Sequence, residues 1–328
     1  MVRYVMMRQP FVSLSANNSI SQGGAGQVFA ITASIVFKCP NLYEDHGLLT
    51  PENKYEMEQS VESIENEKNI YGLLKSHPHP NLLYAILCVP EGIFMPRLET
   101  TLATRLAIPC VTDLESQERW INQLVSAAAW LEKLGYAHCD LRPANVLVDT
   151  LGDIRIADFD ATVTIGSELR LATLPFCKVD EDFETPLAGP ESEQFSLGSI
   201  IYNIRFGFPP WSDLELESPV WRKMLARGDY PSTPDDRYGD VIQKCWKGCF
   251  PSIGALKTEI EKLTTVQLVP QSKPARHHTW YLLAQCHEYV ARQRLLSGSS
   301  IAWRLQSRYR LVVWSIIRAG LSLFCGSD

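Results

Sequence analysis

Long apolar runs are missing from this 328-residue sequence: the most apolar stretch, Leu311 to Phe324, is broken by Arg318 and falls short of the roughly 20 residues a bilayer span needs. No transmembrane span is expected. A C-x-x-C pair is also missing, although there are nine cysteines (Cys39, Cys88, Cys110, Cys139, Cys177, Cys245, Cys249, Cys286 and Cys325). Their odd number and scatter argue against a disulfide framework and predict reduced thiols in an intracellular, cytoplasmic setting, with a nuclear one not excluded. Cys245 and Cys249 lie near each other but lack partners at metal-ligand spacing. Met1 to Pro10 hold no apolar segment of signal-peptide length. Repeats and low-complexity tracts are absent, and 45% hydrophobic with 21% charged residues excludes disorder over most of the chain. Excess positive charge is lacking as well: 31 Lys and Arg against 37 Asp and Glu leave −6, so there is no bulk attraction for nucleic acid. That average hides an asymmetry. From Ser272 onward there are eight basic residues and two acidic ones, a local +6, which leaves −12 on the residues before it.

What is present begins with short strands. Val28 to Ile31 and Ser34 to Lys38 are β-branched and aromatic and are separated only by Thr32 and Ala33, which predicts a hairpin. Met57, Val61, Ile64, Ile70, Leu73 and Leu74 recur at helical spacing between Asn53 and Ser76, and His77-Pro78 stops the pattern. Two further strands are expected around Tyr84 to Val89 and Gly92 to Met95. From Leu114 a helix carrying Trp120, Leu124, Ala127, Ala128 and Leu131 runs to Gly135, with short strands at Asn145 to Val148 and Asp153 to Ala157. Helices follow around Glu193 to Arg205, Pro219 to Arg227, Asp240 to Trp246 and Ile253 to Leu263. Val269 to Pro274 reads as a linker into the basic tail. The pattern is a β-rich small lobe followed by a helical large lobe, an α+β architecture.

Three stretches carry chemistry. Ser21-Gln22-Gly23-Gly24-Ala25-Gly26-Gln27-Val28 is a glycine-rich turn whose backbone N–H groups could approach a phosphate, although taken alone it is equally an ordinary turn. Lys38 sits in an otherwise apolar strand, where a buried ammonium needs an anionic partner such as Glu67, unless it faces solvent at an edge. In Ala137-His138-Cys139-Asp140-Leu141-Arg142-Pro143-Ala144-Asn145, a carboxylate and a carboxamide lie between a helix and a strand, which suits one as base and the other as metal ligand. Asp158, in Asp158-Phe159-Asp160, ends the next strand. Two acids and an Asn converging from strand ends can hold Mg²⁺, which prefers hard oxygen ligands together with substrate phosphates. Each residue singly would read as a turn cap; their joint order is what argues otherwise.

In that order the sequence resembles a eukaryotic protein kinase from about Ser19 to Leu263, with wording similar to kinase-like proteins of filamentous fungi. Ser21 to Val28 stands for the glycine-rich loop, Val36-Phe37-Lys38 for the lysine strand and Glu67 for the helix glutamate. His138-Cys139-Asp140 with Asn145 stands for the catalytic loop, Asp158-Phe159-Asp160 for D-F-G, and Gly189-Pro190-Glu191 for A-P-E. The resemblance implies a bilobal kinase-like domain over residues 1–270, with an N-lobe at about 11–97 and a C-lobe at about 98–270, and a basic tail at 271–328, helical or disordered. It further implies Mg²⁺-dependent transfer of the γ-phosphoryl group of ATP to a hydroxyl of a protein substrate. Lys38, held by Glu67, would contact phosphates; Asp158 and Asn145 would hold Mg²⁺; Asp140 would accept the acceptor proton; Arg142 would stabilise the transferring group. Nucleotide contacts would come from Ser21, Gly23, Gly24, Gly26, Val28, Val36, Lys38, Met95, Pro96 and Leu98. Thr185-Pro186 resembles the threonine of Ser/Thr kinases, while Arg142 is also seen in tyrosine kinases, so Ser/Thr acceptors are favoured.

Departures from the pattern set further expectations. Ser21 replaces a loop glycine. Cys139 replaces an arginine that, in many kinases, pairs with a phosphorylated activation segment, so activity should not need that phosphorylation. Asp160 replaces a glycine and should pay for a left-handed backbone. Glu191 has no arginine at its usual partner position, and Glu193 stands where an aspartate usually anchors the catalytic loop. The competing readings are a catalytically silent kinase-fold scaffold and a small-molecule phosphotransferase. The tail, with Trp303, Leu311, Val312, Trp314, Ile317 and Leu321 among arginines, is expected to pack on the acidic C-lobe or stay disordered, with a membrane surface as the alternative.

Overall fold

The structure is a computed structural model that describes residues 7–44, 49–108, 113–212, 218–233, 235–265 and 276–296. The predicted hairpin is present as β2 (Gln27–Ala30) and β3 (Ile35–Cys39), joined by β1 (Ser19–Gln22) on one side and by β4 (Leu87–Val89) and β5 (Gly92–Pro96) on the other. The five strands are antiparallel in the order β1-β2-β3-β5-β4, so β3 is central and every one of its residues is buried.

Helix α1 (Pro51–Ser76) packs against the face of this sheet that carries Val36 and Lys38. Thr50 starts it by accepting the Asn53 N–H while the Asn53 carboxamide accepts from Thr50, and Pro51 suits the first helical position because its missing N–H would go unused there. Its buried stripe, Ser60, Ile64, Glu67, Tyr71 and Leu74, follows helical spacing yet includes two polar residues, both fully buried. Buried polar groups demand partners: Ser60 bonds Asn41 and Ala25, and Glu67 accepts from Lys38 through Oε2.

The large lobe contains β6 (Thr100–Thr101), α2 (Leu102–Leu106), α3 (Leu114–Lys133), β7 (Tyr136–Ala137), β8 (Val146–Val148), β9 (Ile154–Ile156), β10 (Val163–Thr164), α4 (Pro190–Phe206), α5 (Ser218–Arg227), α6 (Gly239–Trp246) and α7 (Ile253–Leu263). Its core joins Trp120, Leu124, Phe195, Ile200 and Trp246 in one apolar cluster that continues into α1 and β5. α4 and α6 approach so closely that a Cβ on Gly198 would lie 2.6 Å from the Cys245 Cβ, which is why glycine stands there. The two-residue strands β6, β7 and β10 carry no periodic signal and were not expected from the sequence.

The tail was expected on the C-lobe, and the part of it that is described docks elsewhere. Its described part is α8 (Arg276–Leu296), and α8 packs on the outer face of the small-lobe sheet, not on the C-lobe. Leu282, Cys286 and Val290 lie on one helical face against Phe11, Leu14, Phe29, Ile35, Phe37 and Phe94. Polar bonds fix the seat: Ser13 N–H donates to Gln293 at 3.1 Å, the hydroxyls of Ser13 and Tyr289 are 2.6 Å apart, and Arg294 reaches both Glu91 oxygens at 2.9 and 2.8 Å. The linker at 269–274 and the apolar and basic residues from Trp303 onward lie outside the described residues. Among the described residues no helix is long and apolar enough to cross a membrane. The seven described cysteines are free.

Candidate active site

The central strand delivers Lys38 to the face opposite α8, because β3 alternates Ile35, Phe37 and Cys39 toward α8 with Val36 and Lys38 toward the cleft. Lys38 is not an edge lysine. Its Nζ donates to Glu67 Oε2 on α1 at 2.6 Å and to Asp158 Oδ1 beyond β9. Burial disfavours the ammonium, but the carboxylates of Glu67, Asp158 and Asp160 outweigh it and hold the Lys38 pKa above its ordinary value. Burial likewise favours neutral Asp158, yet Lys38 outweighs this and holds that carboxyl below the usual range. Glu67 is pushed upward by burial against the pull of Lys38.

The catalytic-loop residues converge as expected. Asp140 Oδ2 accepts from Asn145 Nδ2 at 2.7 Å and from Arg142 Nε at 3.0 Å, and Asn145 Nδ2 also reaches the Asp140 carbonyl at 2.9 Å. The Asp140 Oδ1 atom accepts from the Thr173 hydroxyl at 2.8 Å. That corrects the choice of threonine: Thr173 touches Asp140, whereas Thr185 lines a surface cleft with Lys178, Glu191, Arg227 and Tyr230. Sequence distance to Gly189-Pro190-Glu191 misled, because that tripeptide is the start of α4 itself and the chain from Thr173 to it makes a longer excursion.

Glu193 anchors the loop despite its extra methylene. Its two oxygens accept the His138 and Cys139 N–H groups, each at 3.0 Å, in a fully buried setting. Leaving those donors unpaired would cost about 1–3 kcal/mol each. The anchored loop holds Cys139 at a left-handed φ of 65° and aims the His138 ring at the Ala157 carbonyl, 3.0 Å away. Phe159 is packed between the rings of His138 and Tyr71, at 5.4 and 5.3 Å, which keeps Asp158 turned toward Lys38. Glu191 finds a partner too, in Lys178 at 2.5 Å.

The backbone cost expected at Asp160 is located differently. Asp158 has the left-handed φ of 69°, while Asp160 lies in a 3-10 turn whose carbonyl, with that of Thr162, is held by Asn66 at 2.9 Å. The cost at Asp160 is electrostatic: burial, then the charge of Asp158, pushes its carboxyl up to about 6. A carboxyl with a raised folded-state pKa binds its proton more tightly when folded, so stability falls as pH rises from about 4 to about 6 and then levels off. Asp160→Asn should therefore raise stability by on the order of 2 kcal/mol at about pH 7.5, with the gain vanishing near pH 4. Thermal melts of both proteins across that range check this; a gain independent of pH would refute the electrostatic cause.

Four of the expected nucleotide-contact positions, Val28, Val36, Met95 and Leu98, share one apolar cluster. Val28 stands opposite Lys38 across β2 and β3, Val36 opposite Met95, and Val28, Val36, Met95, Leu98 and Leu147 of β8 share the apolar cluster. The Arg97 and Glu99 N–H groups are committed to Ser34 and Val148, so a base edge at Pro96 and Leu98 would meet groups those bonds do not use. Ser21 is exposed on β1, Gly23 and Gly24 are exposed in the turn, and Gly26 is buried, where a Cβ would come within 2.3 Å of the Cys39 carbonyl oxygen. Among the described residues no cluster of three His, Cys, Asp or Glu side chains could cage a metal alone. Asp158 and Asn145 suit Mg²⁺, which commonly takes one or two protein oxygens and completes its shell with phosphate and water.

Comparison with known proteins agrees with this geometry: a family model described as "Protein kinase domain" matches residues 15–249. The chain belongs to the eukaryotic protein kinase superfamily. It is 30% identical over 169 residues to maternal embryonic leucine zipper kinase of Xenopus laevis, covering 47% of this chain and 25% of that protein. A Dictyostelium discoideum protein named as a probable serine/threonine-protein kinase is 22% identical over 250 residues, 69% of this chain and 25% of the relative. A probable myosin light chain kinase from the same organism is 28% identical over 213 residues, 58% and 43% of the two chains. The chain thus spans about a quarter of the length of the first two kinases. The kinase match ends before α8, which packs back on the matched sheet. Sequence reading missed Thr173, Asn66 and the Phe159 stack, since none has a signature apart from the fold that brings it in.

Proposed function

We propose that this protein is an active ATP- and Mg²⁺-dependent kinase that phosphorylates Ser or Thr hydroxyls of a protein substrate. One observation carries the reading: Lys38, Glu67 and Asp158 form a single ion-paired group, and Asp140, Arg142 and Asn145 form a hydrogen-bonded one beside it. A silent scaffold has no need to hold an ammonium and several carboxylates together at the floor of the cleft, an arrangement that is costly to desolvate. In this reading Lys38 draws the α and β phosphates, Arg142 faces the transferring group, and Asp158 and Asn145 would hold Mg²⁺, which would supply charge neutralisation at the phosphates. Asp140 orients the acceptor hydroxyl and takes its proton. The Thr173 hydroxyl fixes the Asp140 carboxylate from the activation segment, and the Ser/Thr kinase names among the relatives favour a short aliphatic acceptor.

Residues 1–270 are proposed as the kinase unit and 271–328 as an appendage whose α8 docks back on it. An intracellular setting is proposed on the free thiols. Transfer of radiolabel from γ-labelled ATP to a generic protein substrate tests the function. Counts should appear with Mg²⁺ and fall to background with EDTA. Absence of both transfer and a Mg²⁺-dependent ATP thermal shift would favour the scaffold.

A further inference from the structure

The glycine-rich turn is tied to the body of the small lobe by two residues that no kinase motif contains. The Asn41 carboxamide, just beyond β3, donates through Nδ2 to the carbonyls of Gly23 at 2.8 Å and Gly24 at 3.2 Å. Ser60, on α1, donates its hydroxyl to the Ala25 carbonyl at 2.8 Å and accepts the Asn41 N–H at 2.7 Å. Asn41 is 7% exposed and Ser60 is fully buried. Buried side chains bound to a glycine turn that is otherwise open to solvent are an expensive arrangement unless the turn must be held.

What the ties impose follows from peptide geometry. In a trans peptide the C=O of one residue and the N–H of the next point in opposite directions. Drawing the carbonyls of Gly23, Gly24 and Ala25 toward Asn41 and Ser60 therefore turns the N–H groups of Gly24, Ala25 and Gly26 away from α1. Successive N–H groups presented on one side form an anion-binding concavity. The turn is further closed by the Gly23 N–H donating to the Gly26 carbonyl at 2.9 Å. Ser60 shares its helical stripe with Glu67, the partner of Lys38. One rigid helix thus holds both the turn and the lysine.

We propose that Asn41 and Ser60 are positioning residues that preset the glycine turn for nucleotide phosphates and make its order depend on the seat of α1. This rests on the kinase reading above. The test uses the full chain with Asn41→Ala and Ser60→Ala made separately, each checked for wild-type melting, so that a folding failure in one leaves the other. In nucleotide-free protein the ¹⁵N order parameters of Gly24, Ala25 and Gly26 should fall from about 0.85 toward 0.6 or below in both variants. The Kd for Mg²⁺·ADP and the KM for ATP should each rise about tenfold, the loss of roughly one net hydrogen bond, with kcat within about twofold. Unchanged order parameters overturn the proposal, and so does a fall in kcat at constant KM. Failure of the kinase reading shows separately, as a wild-type protein without nucleotide affinity whose turn is nevertheless loosened by the substitutions.

Discussion

Asp140→Asn should leave the fold and Mg²⁺·ATP affinity intact and lower phosphoryl transfer by about 10²–10⁴-fold, the usual contribution of a positioned general base. The local hydrogen bonds explain why the fold survives. With its oxygen on the Oδ2 side, the new carboxamide still accepts from Asn145 and Arg142, which now approach at 2.7 and 3.0 Å. Its nitrogen faces the Thr173 hydroxyl, which can rotate from donor to acceptor, since a hydroxyl does both. What is lost is the charge and the capacity to take a proton. Single-turnover transfer measured beside a nucleotide titration checks this. Equal transfer by both proteins would remove Asp140 from the role of base.

Leu282→Asp should cost on the order of 4 kcal/mol or more, because it sets a carboxylate into an aromatic cluster. Leu282 is 2% exposed, and its neighbours Phe29, Phe37 and Phe94 form the back of the sheet whose front carries Lys38. Leu282→Ala, which only opens space, should cost about 2–4 kcal/mol. Urea denaturation of the full chain reads both effects. If α8 were a dispensable ornament, neither variant would shift the midpoint. Removal of the helix should also expose the Phe11, Phe37 and Phe94 rings, now packed at centroid distances of 5.1 and 4.6 Å, as an adhesive apolar patch.

The hairpin, α1 and the catalytic loop could be read from the sequence because local rules govern them: alternation in β2 and β3, a capped helical stripe after Thr50, and motif spacing around Asp140. Where contacts between distant segments decide, the reading failed for physical reasons. α8 buries Leu282, Cys286 and Val290 but leaves Trp280 at 67% and Tyr281 at 62% exposure, so its apolar residues mark no single face. The Thr173 contact depends on the path of the activation segment, which spacing cannot give. The Glu191 partner, Lys178, lies on that same segment, not late in the large lobe. At Asp160 a glycine comparison suggested backbone strain, whereas the three-dimensional arrangement of Asp158, Asp160 and Lys38 makes the cost one of charge. Glu193 could be recognised as a substitution, but only geometry shows that its longer reach is absorbed without losing either N–H.

The bond between Ser13 and Gln293 links residues 280 apart, so the two ends of the described chain close one sheet face. Synthesis is vectorial, and Phe94 leaves the ribosome roughly 200 residues before Val290, which at 5–20 residues per second is an interval of roughly 10–40 s. Throughout it, the aromatic back of the small lobe has no cover of its own. The newborn chain is therefore expected to expose an adhesive aromatic face during that interval, and α8, the last helix among the described residues, is the one that ends the exposure.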